Sequence, residues 1–251
     1  METRKLQLWF AYPGDLLSKE AEEASANLLS ECERAHWQRF CSESNRRASL
    51  TGRVLVRVAL SHVHPIPPRE WKFSANRQGK PIATPKCGVR FNLSSTEEMA
   101  ACAVAGGAEV GVDVEPHMRG PQIVHMAEKY FSPAEMAQLM GLDGDEKLNR
   151  ILSLWALKEA YIKARGVGTP LPLKLISFLF GGPAGVRMVV DPSIGEKPLH
   201  WQFALLDFAG HRIALMVEQK YTWHLEILEA RSLLEPPAAI HAGVLGWFPW
   251  A

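Results

Sequence analysis

The sequence lacks several features that would place it in a broad class of proteins at once. Lys and Arg total 28 and Asp and Glu total 27, so no excess of positive charge favours binding to nucleic acid. No run of about 18 uncharged apolar residues is present, so no membrane-spanning helix is predicted. The four cysteines lack the spacing of a metal site, and we expect free thiols. Because the positive and negative charges nearly balance, an anion site must be a local cluster of basic residues.

The start of the chain also lacks the apolar core of a signal peptide, from which we expect a cytoplasmic protein. The length of 251 residues suits one large domain or two small ones. The Gly106-Gly107 pair separates two patterned regions. We predict an N-terminal half over residues 1–107, a C-terminal half over 108–230, and a Trp-containing tail over 231–251 that packs on the body.

The order of helical and strand patterns predicts an α+β fold. Ser18 is expected to cap a helix that runs to about Phe40, and a basic helix follows it. The segments Phe91–Ala105 and Phe203–Val217 have the same length, and each reads as a hairpin after a long helix. We therefore predict a pseudo-twofold pair of similar subdomains, each a small, mostly antiparallel sheet packed with a long helix.

The segment VGVDVEP, residues 110–116, alternates in the manner of a half-buried strand. Its three valines face one side, whereas Asp113 and Glu115 face the other. Two carboxylates at positions i and i+2 of a strand lie about 6.6 Å apart along it. A carboxylate pair backed by valines suits a hard divalent cation, which prefers oxygen ligands.

A second segment, SLWALKEAYIKARG from Ser153 to Gly166, is predicted to be a helix. Trp155, Glu159 and Lys163 are spaced four residues apart and therefore share one face. This pattern alone is equally compatible with ordinary surface pairing. Together with the strand it indicates a phosphate ligand, with a metal held by carboxylates and basic side chains that neutralise the remaining charge.

These two segments also form a recognisable pair. GVDVEP (111–116) followed about 40 residues later by LWALKEAYIKARGVG (154–168) resembles the signature of the 4′-phosphopantetheinyl transferases, in particular the surfactin-synthetase-activating (Sfp) type. The resemblance includes Gly79-Lys80-Pro81, FNLS (91–94) and Phe131-Ser132, and it runs from roughly Arg39 to Val217.

The resemblance implies transfer of the 4′-phosphopantetheine arm of coenzyme A to a serine of an apo acyl or peptidyl carrier protein, with release of adenosine 3′,5′-bisphosphate. It implies that Asp113, Glu115 and Glu159 bind Mg²⁺. Glu159 would also be the general base for the carrier serine, and Lys163 would stabilise or protonate the leaving phosphate.

The resemblance further implies which residues contact coenzyme A. The expected coenzyme A contacts are Lys80, Arg47 or next Arg53, Ser94, Ser95, Thr96, Asp113, Lys158 and Lys163, with Trp155 shaping the pocket. Many relatives carry a histidine where this chain has Ser95, and some carry lysines near the positions of Glu33 and His36. A hydroxyl can still donate a hydrogen bond to phosphate, but without a positive charge.

The expected partner is an acidic carrier protein of fatty-acid, polyketide or non-ribosomal peptide synthesis, served by a cytoplasmic monomer that binds neither nucleic acid nor membrane. Two alternatives stay open at this point. One is a Mg²⁺-dependent phosphohydrolase acting on nucleotide-like substrates, and the other is a non-catalytic module that binds coenzyme A or the carrier.

Overall fold

The computed structural model describes residues 2–16, 18–166, 172–181, 185–195, 200–231, 233 and 237–240, and the backbone of 243–248. The chain divides into two compact units, Met1–Val110 with Tyr221–His241 and Gly111–Lys220 with Ala242–Ala251. Over the described ranges, none of the helices has the length and apolar character needed to cross a membrane.

The chain contains helices and strands in the mixed order that the sequence predicts. The helices are α1 (Lys19–Ala26), α2 (Glu31–Trp37), α3 (Glu43–Val63), α4 (Gly120–Tyr130), α5 (Pro133–Met140) and α6 (Gly144–Arg165). The strands are β1 (Thr3–Ala11), β2 (Lys72–Ala75), β3 (Pro81–Thr84), β4 (Val89–Ser95), β5 (Ala100–Gly106), β6 (Val110–Pro116), β7 (Ile176–Phe180), β8 (Val186–Val190), β9 (Trp201–Phe208), β10 (His211–Glu218), β11 (Thr222–Glu229), β12 (Ala238–Ala239) and β13 (Gly243–Phe248).

The first unit is built on a five-stranded sheet in the order β12-β11-β1-β5-β4. β11 runs parallel to β1, and the other neighbouring strands are antiparallel. The long basic helix α3 packs on β4 and β5. Leu50, Val54 and Leu55 supply the apolar face of α3 at helical spacing, and they are fully buried.

The second unit contains a four-stranded sheet in the order β13-β9-β10-β6 and a separate antiparallel hairpin of β7 and β8. α6 packs on β10. Gly166, the C-cap of α6, adopts a left-handed conformation with φ of 59°, which ends the helix as predicted. The predicted stops at Gly168 and Pro170, and the tail residue Trp250, lie outside the described residues.

The predicted α+β class and the pairing of a long helix with a mostly antiparallel sheet in each unit are confirmed. The predicted hairpins are present as β4–β5 and β9–β10. β11 pairs with β1 in the first unit, whereas the sequence analysis assigned this segment to the C-terminal half.

The prediction of one helix from Ser18 to Phe40 is wrong. The segment forms α1 and α2, which are separated by residues 27–30. Ser30 caps α2 in a capping box, in which the Glu33 backbone N–H donates to the Ser30 hydroxyl and the Glu33 carboxylate accepts from the Ser30 backbone. This reciprocal pair starts a new helix where a continuous one was expected.

The prediction that β6 is half-buried is also wrong, since Val110 to Glu115 are all buried. The cause is the close packing of β6 against α6 at Gly111. A Cβ at Gly111 would overlap the carbonyl oxygen of Ala160 and the backbone nitrogen of Ala164. The strand face that carries Asp113 and Glu115 is thus covered by a helix rather than by solvent.

Candidate active site

The second unit brings the two predicted signatures together. Lys163 donates from Nζ to Asp113 Oδ1 at 2.6 Å, which joins the last turn of α6 to the middle of β6. The Asp113 carboxylate is 4% exposed, while the Lys163 side chain is partly accessible to solvent. The ion pair therefore lies at the edge of the packed core, with its lysine on the accessible side.

Glu115 is held by an aromatic and a basic neighbour. Trp155 Nε1 donates to Glu115 Oε1 at 2.8 Å, and Arg119 Nη1 lies 2.8 Å and 2.6 Å from the two carboxylate oxygens. The Trp155 ring in turn packs edge-on against Tyr130, with centroids 5.7 Å apart. Trp155 thus orients a carboxylate, and its role in shaping the pocket stays a prediction.

Glu159 is half-buried on α6 and is influenced by the same charges. Burial raises the pKa of Glu159, Asp113 and Glu115 raise it further, and Lys163 and Arg119 oppose them. Burial also raises the pKa of Glu115, and the Asp113 charge adds to the increase. The three carboxylates therefore repel one another, which is the condition under which a cation or a proton is taken up.

The donor chemistry of these three carboxylates fits Mg²⁺, because their oxygens are hard ligands and their negative charge is incompletely neutralised. Among the described residues, no three His, Cys, Asp or Glu side chains are already gathered as a metal cluster. Asp113 is bonded to Lys163 and Glu115 to Arg119. A metal ion would therefore compete with two basic side chains for these oxygens.

Lys158 lies in the core of the second unit, contrary to the expectation that it contacts coenzyme A. Its Nζ lies 2.9 Å from Glu135 Oε2, and both side chains are 0% exposed. The same ammonium group donates to the carbonyl oxygens of Leu173 and Ile176 at 2.9 Å and 2.5 Å. With three acceptors inside the protein, Lys158 is a structural residue.

The first unit contains a cavity of about 580 Å³ between the α3 face and the end of β4. Three residues expected to contact coenzyme A, namely Arg53, Ser95 and Thr96, line it. Arg57 and Glu33 line it as well. Arg53 Nη1 donates to Glu33 Oε1 at 3.2 Å, and Arg57 Nη2 donates to Glu33 Oε2 at 2.5 Å.

The remaining predicted contacts of the first unit do not line this cavity. Arg47 pairs with Glu43 one turn earlier in α3. Lys80 donates from Nζ to Glu109 Oε2 at 2.7 Å, and burial lowers the pKa of Lys80. Ser94 is buried within β4.

Several side chains form hydrogen bonds or ion pairs with the predicted residues but are not themselves predicted as site residues from the sequence. Arg57 carried a usable signal, since it follows Arg53 by four residues and so shares its helix face. Arg119 likewise follows Glu115 by four residues. Glu33 and Glu135 gave no local signal of their pairing, because their basic partners are more than 19 residues away.

Comparisons with known proteins assign the chain to a family. The model of the 4′-phosphopantetheinyl transferase superfamily matches residues 109–216, and the model of the 4′-phosphopantetheinyl transferase N-terminal region matches residues 18–106. The chain is 31% identical to the 4′-phosphopantetheinyl transferase psf-1 of Bacillus pumilus over 203 residues, which cover 80% of this chain and 84% of that protein.

A second phosphopantetheinyl transferase and one solved structure are also similar to the chain. Identity is 29% over 172 residues to the 4′-phosphopantetheinyl transferase Sfp of Bacillus subtilis, covering 68% of this chain and 75% of the relative. The crystal structure of holo-[acyl-carrier-protein] synthase from Neisseria meningitidis matches 45% of this chain and 98% of its own, at 17% identity and a TM-score of 0.39.

This chain belongs to the 4′-phosphopantetheinyl transferase superfamily. Within it, the chain is of the Sfp type, and its function is transfer of phosphopantetheine from coenzyme A to carrier proteins.

Proposed function

We propose that the transfer depends on Mg²⁺ and that Asp113, Glu115 and Glu159 hold the ion. The proposal is supported by the surroundings of the carboxylates, because burial raises the pKa of Glu115 and Glu159 and the Asp113 charge raises both further. A bound Mg²⁺ supplies positive charge to phosphate oxygens when coenzyme A is present. Lys163 and Arg119, which bond to Asp113 and Glu115, are the basic side chains beside these carboxylates that would contact the phosphates.

Glu159 acts as the general base for the carrier serine. A serine hydroxyl is a weak nucleophile, and Glu159 accepts its proton as the serine oxygen bonds to the phosphorus of the phosphopantetheine phosphate. Burial and the Asp113 charge raise the pKa of Glu159 and so strengthen it as a base. The bond from that phosphorus to the oxygen of adenosine 3′,5′-bisphosphate breaks, and that oxygen keeps the electron pair.

Lys163 stabilises the leaving phosphate. It lies one turn beyond Glu159 on α6, and its ammonium group is partly accessible. The Asp113–Lys163 ion pair is the observation that carries this assignment, because it joins the strand signature and the helix signature in one cluster. In the first unit, we assign coenzyme A contacts to Arg53, Ser95 and Thr96, which line the cavity. The contacts expected of Lys80, Arg47 and Ser94 stay predictions.

The acceptor is an acidic carrier protein, since basic side chains such as Arg119 and Lys163 are accessible beside the carboxylates. We further propose that the enzyme acts as a monomer in the cytoplasm, where coenzyme A and carrier proteins are found together.

The metal dependence is tested by the intact mass of an apo acyl carrier protein after incubation with the enzyme and coenzyme A. The carrier should gain one phosphopantetheine group with Mg²⁺, and none after the enzyme is treated with EDTA. Adding Mg²⁺ back should restore the gain. Equal modification with and without Mg²⁺ would contradict the proposed metal site.

A further inference from the structure

We propose that Glu33 determines donor specificity as a fixed internal counter-ion, which engages both Arg53 and Arg57, balances their charge together with Glu97, and makes the enzyme nearly indifferent to the 3′-phosphate of its donor. The inference rests on the proposed function in one respect, the assignment of the first unit's cavity to coenzyme A. It concerns which donors the transferase accepts: coenzyme A and the analogue that lacks the 3′-phosphate.

The two arginines are bound by one carboxylate. Glu33 Oε1 accepts from Arg53 at 3.2 Å and Glu33 Oε2 accepts from Arg57 at 2.5 Å, so both carboxylate oxygens are in use. Arg57 is 1% exposed and also donates to the carbonyl oxygen of Arg53 at 3.3 Å. Its guanidinium lies 4.7 Å from the centre of the Phe73 ring. The arginines are thus held against the wall, and Glu33 compensates one of their two positive charges.

Glu33 itself is held in place by its own helix. Its Oε2 accepts from the Ser30 backbone N–H at 3.0 Å and from the Ser30 hydroxyl at 2.7 Å. Turning the carboxylate away to admit an anion would break this capping box as well as both arginine bonds. Burial raises the pKa of Glu33, but the Ser30 hydrogen bonds and the Arg57 charge outweigh burial and lower the pKa. The carboxylate is therefore ionised at neutral pH.

The lining of the cavity carries no surplus positive charge. Its charged members are two acids, Glu33 and Glu97, and two bases, Arg53 and Arg57, so the formal sum is zero. The other lining groups include the Phe40, Phe73 and Phe91 rings and the hydroxyls of Ser49, Ser95 and Thr96. Aromatic rings and hydroxyls suit a neutral ring and its ribose, and they discriminate weakly between a phosphate and a hydroxyl group.

Two other basic residues of the first unit that are expected to contact coenzyme A are also paired. Arg47 bonds to Glu43 and Lys80 to Glu109. Glu33 is the more consequential partner because it engages two guanidinium groups that line the cavity. Its replacement by glutamine keeps the shape and the capping hydrogen bonds but removes the charge, and so leaves both arginines able to bind an anion.

The test compares two probes that differ only in the 3′-phosphate. Calorimetry would measure the binding of adenosine 3′,5′-bisphosphate and adenosine 5′-monophosphate, and transfer assays would compare kcat/KM for coenzyme A and 3′-dephospho-coenzyme A. For the wild type we expect the two members of each pair to differ by less than about fivefold. Glu33→Gln should raise the preference for the 3′-phosphate by about tenfold or more, as a gained charge-assisted contact would. Glu31→Gln, in the exposed first turn of the same helix, should not change it.

A wild-type preference for the 3′-phosphate above about 100-fold would overturn the inference, whether or not the variant folds. An unchanged preference in folded Glu33→Gln would overturn it as well. Failure of the proposed function would give a different result, namely no transfer of phosphopantetheine from either donor. In that case calorimetry would still measure the ratio of the two dissociation constants in the wild type and in Glu33→Gln, and so would still test the inference.

Discussion

Lys158 and Glu159 are neighbours in the sequence, yet the Lys158 side chain is buried and the Glu159 side chain is half-buried. Successive helical residues are rotated by about 100°, so one can face the core while the next faces the site. The Lys158 ammonium group is buried against Glu135 and two carbonyl oxygens. Burial lowers the pKa of Lys158, and the Glu135 charge opposes that shift. Lys158 therefore anchors α6, and Glu159 faces the carboxylate cluster.

We expect Lys158→Met to lower the free energy of unfolding by about 3–5 kcal/mol, because Glu135 would be left charged and buried without its partner. Urea denaturation followed by circular dichroism would measure the change. Lys147→Met, on the same helix, is the control and should stay within about 0.5 kcal/mol of the wild type. A loss below about 1 kcal/mol for Lys158→Met would show that the buried pair contributes little.

The local sequence pattern of α6 predicts which residues share a face of the helix, but it does not predict the surroundings of every residue. The spacing of Trp155, Glu159 and Lys163 predicted a shared face, and the resemblance suggested roles for them. The environment of Lys158 depends on Glu135, on another helix, and on a loop and a strand further along the chain. Such contacts are set by tertiary packing and have no local periodicity.

At the scale of elements, the contact between β6 and α6 sets the position of the site. Gly111 allows the strand to approach the helix backbone at Ala160 and Ala164. This approach buries the face of Asp113 and Glu115 and places Lys163 within bonding distance of Asp113. One missing side chain therefore sets the geometry of the Asp113–Lys163 ion pair and of the Trp155–Glu115 hydrogen bond.

We expect Gly111→Ala to destabilise the protein by at least about 3 kcal/mol, because the new methyl group would overlap backbone atoms that cannot move aside without shifting α6. Gly106→Ala, at the end of β5, is a matched control, since a Cβ there meets no atom within 4 Å. Thermal unfolding of both variants measures the difference. Equal melting temperatures would contradict the proposed close packing.

The sequence predicted individual elements better than their pairing. The break between α1 and α2 was missed although Ser30 and Glu33 carry the capping-box spacing, so that signal was available. The parallel pairing of β1 with β11 joins Thr3 to Thr222 across nearly the whole chain. No local pattern records such a long-range pairing, so the sequence predicts this segment in the C-terminal half, whereas it pairs with β1.

At the scale of the whole molecule, the two units contribute different chemistry. The second unit holds the carboxylates and Lys163, and the first holds the cavity lined by Arg53, Ser95 and Thr96. The sequence predicts residues of both groups as site residues. It contains no indication that Glu33 pairs with Arg53 and Arg57, because a carboxylate on α2 and the arginines on α3 meet only in the folded chain.

Glu159 is proposed to remove the proton of the carrier serine. The most direct test is the single-turnover rate of phosphopantetheine transfer to an apo carrier protein by Glu159→Gln, with calorimetry of coenzyme A binding on the same protein. Glu128→Gln, exposed on α4, is the control. We predict that Glu159→Gln lowers the rate about 10²–10⁴-fold, the usual contribution of a general base, while the protein stays folded. A rate within about tenfold of the wild type would contradict the role of Glu159 as the base.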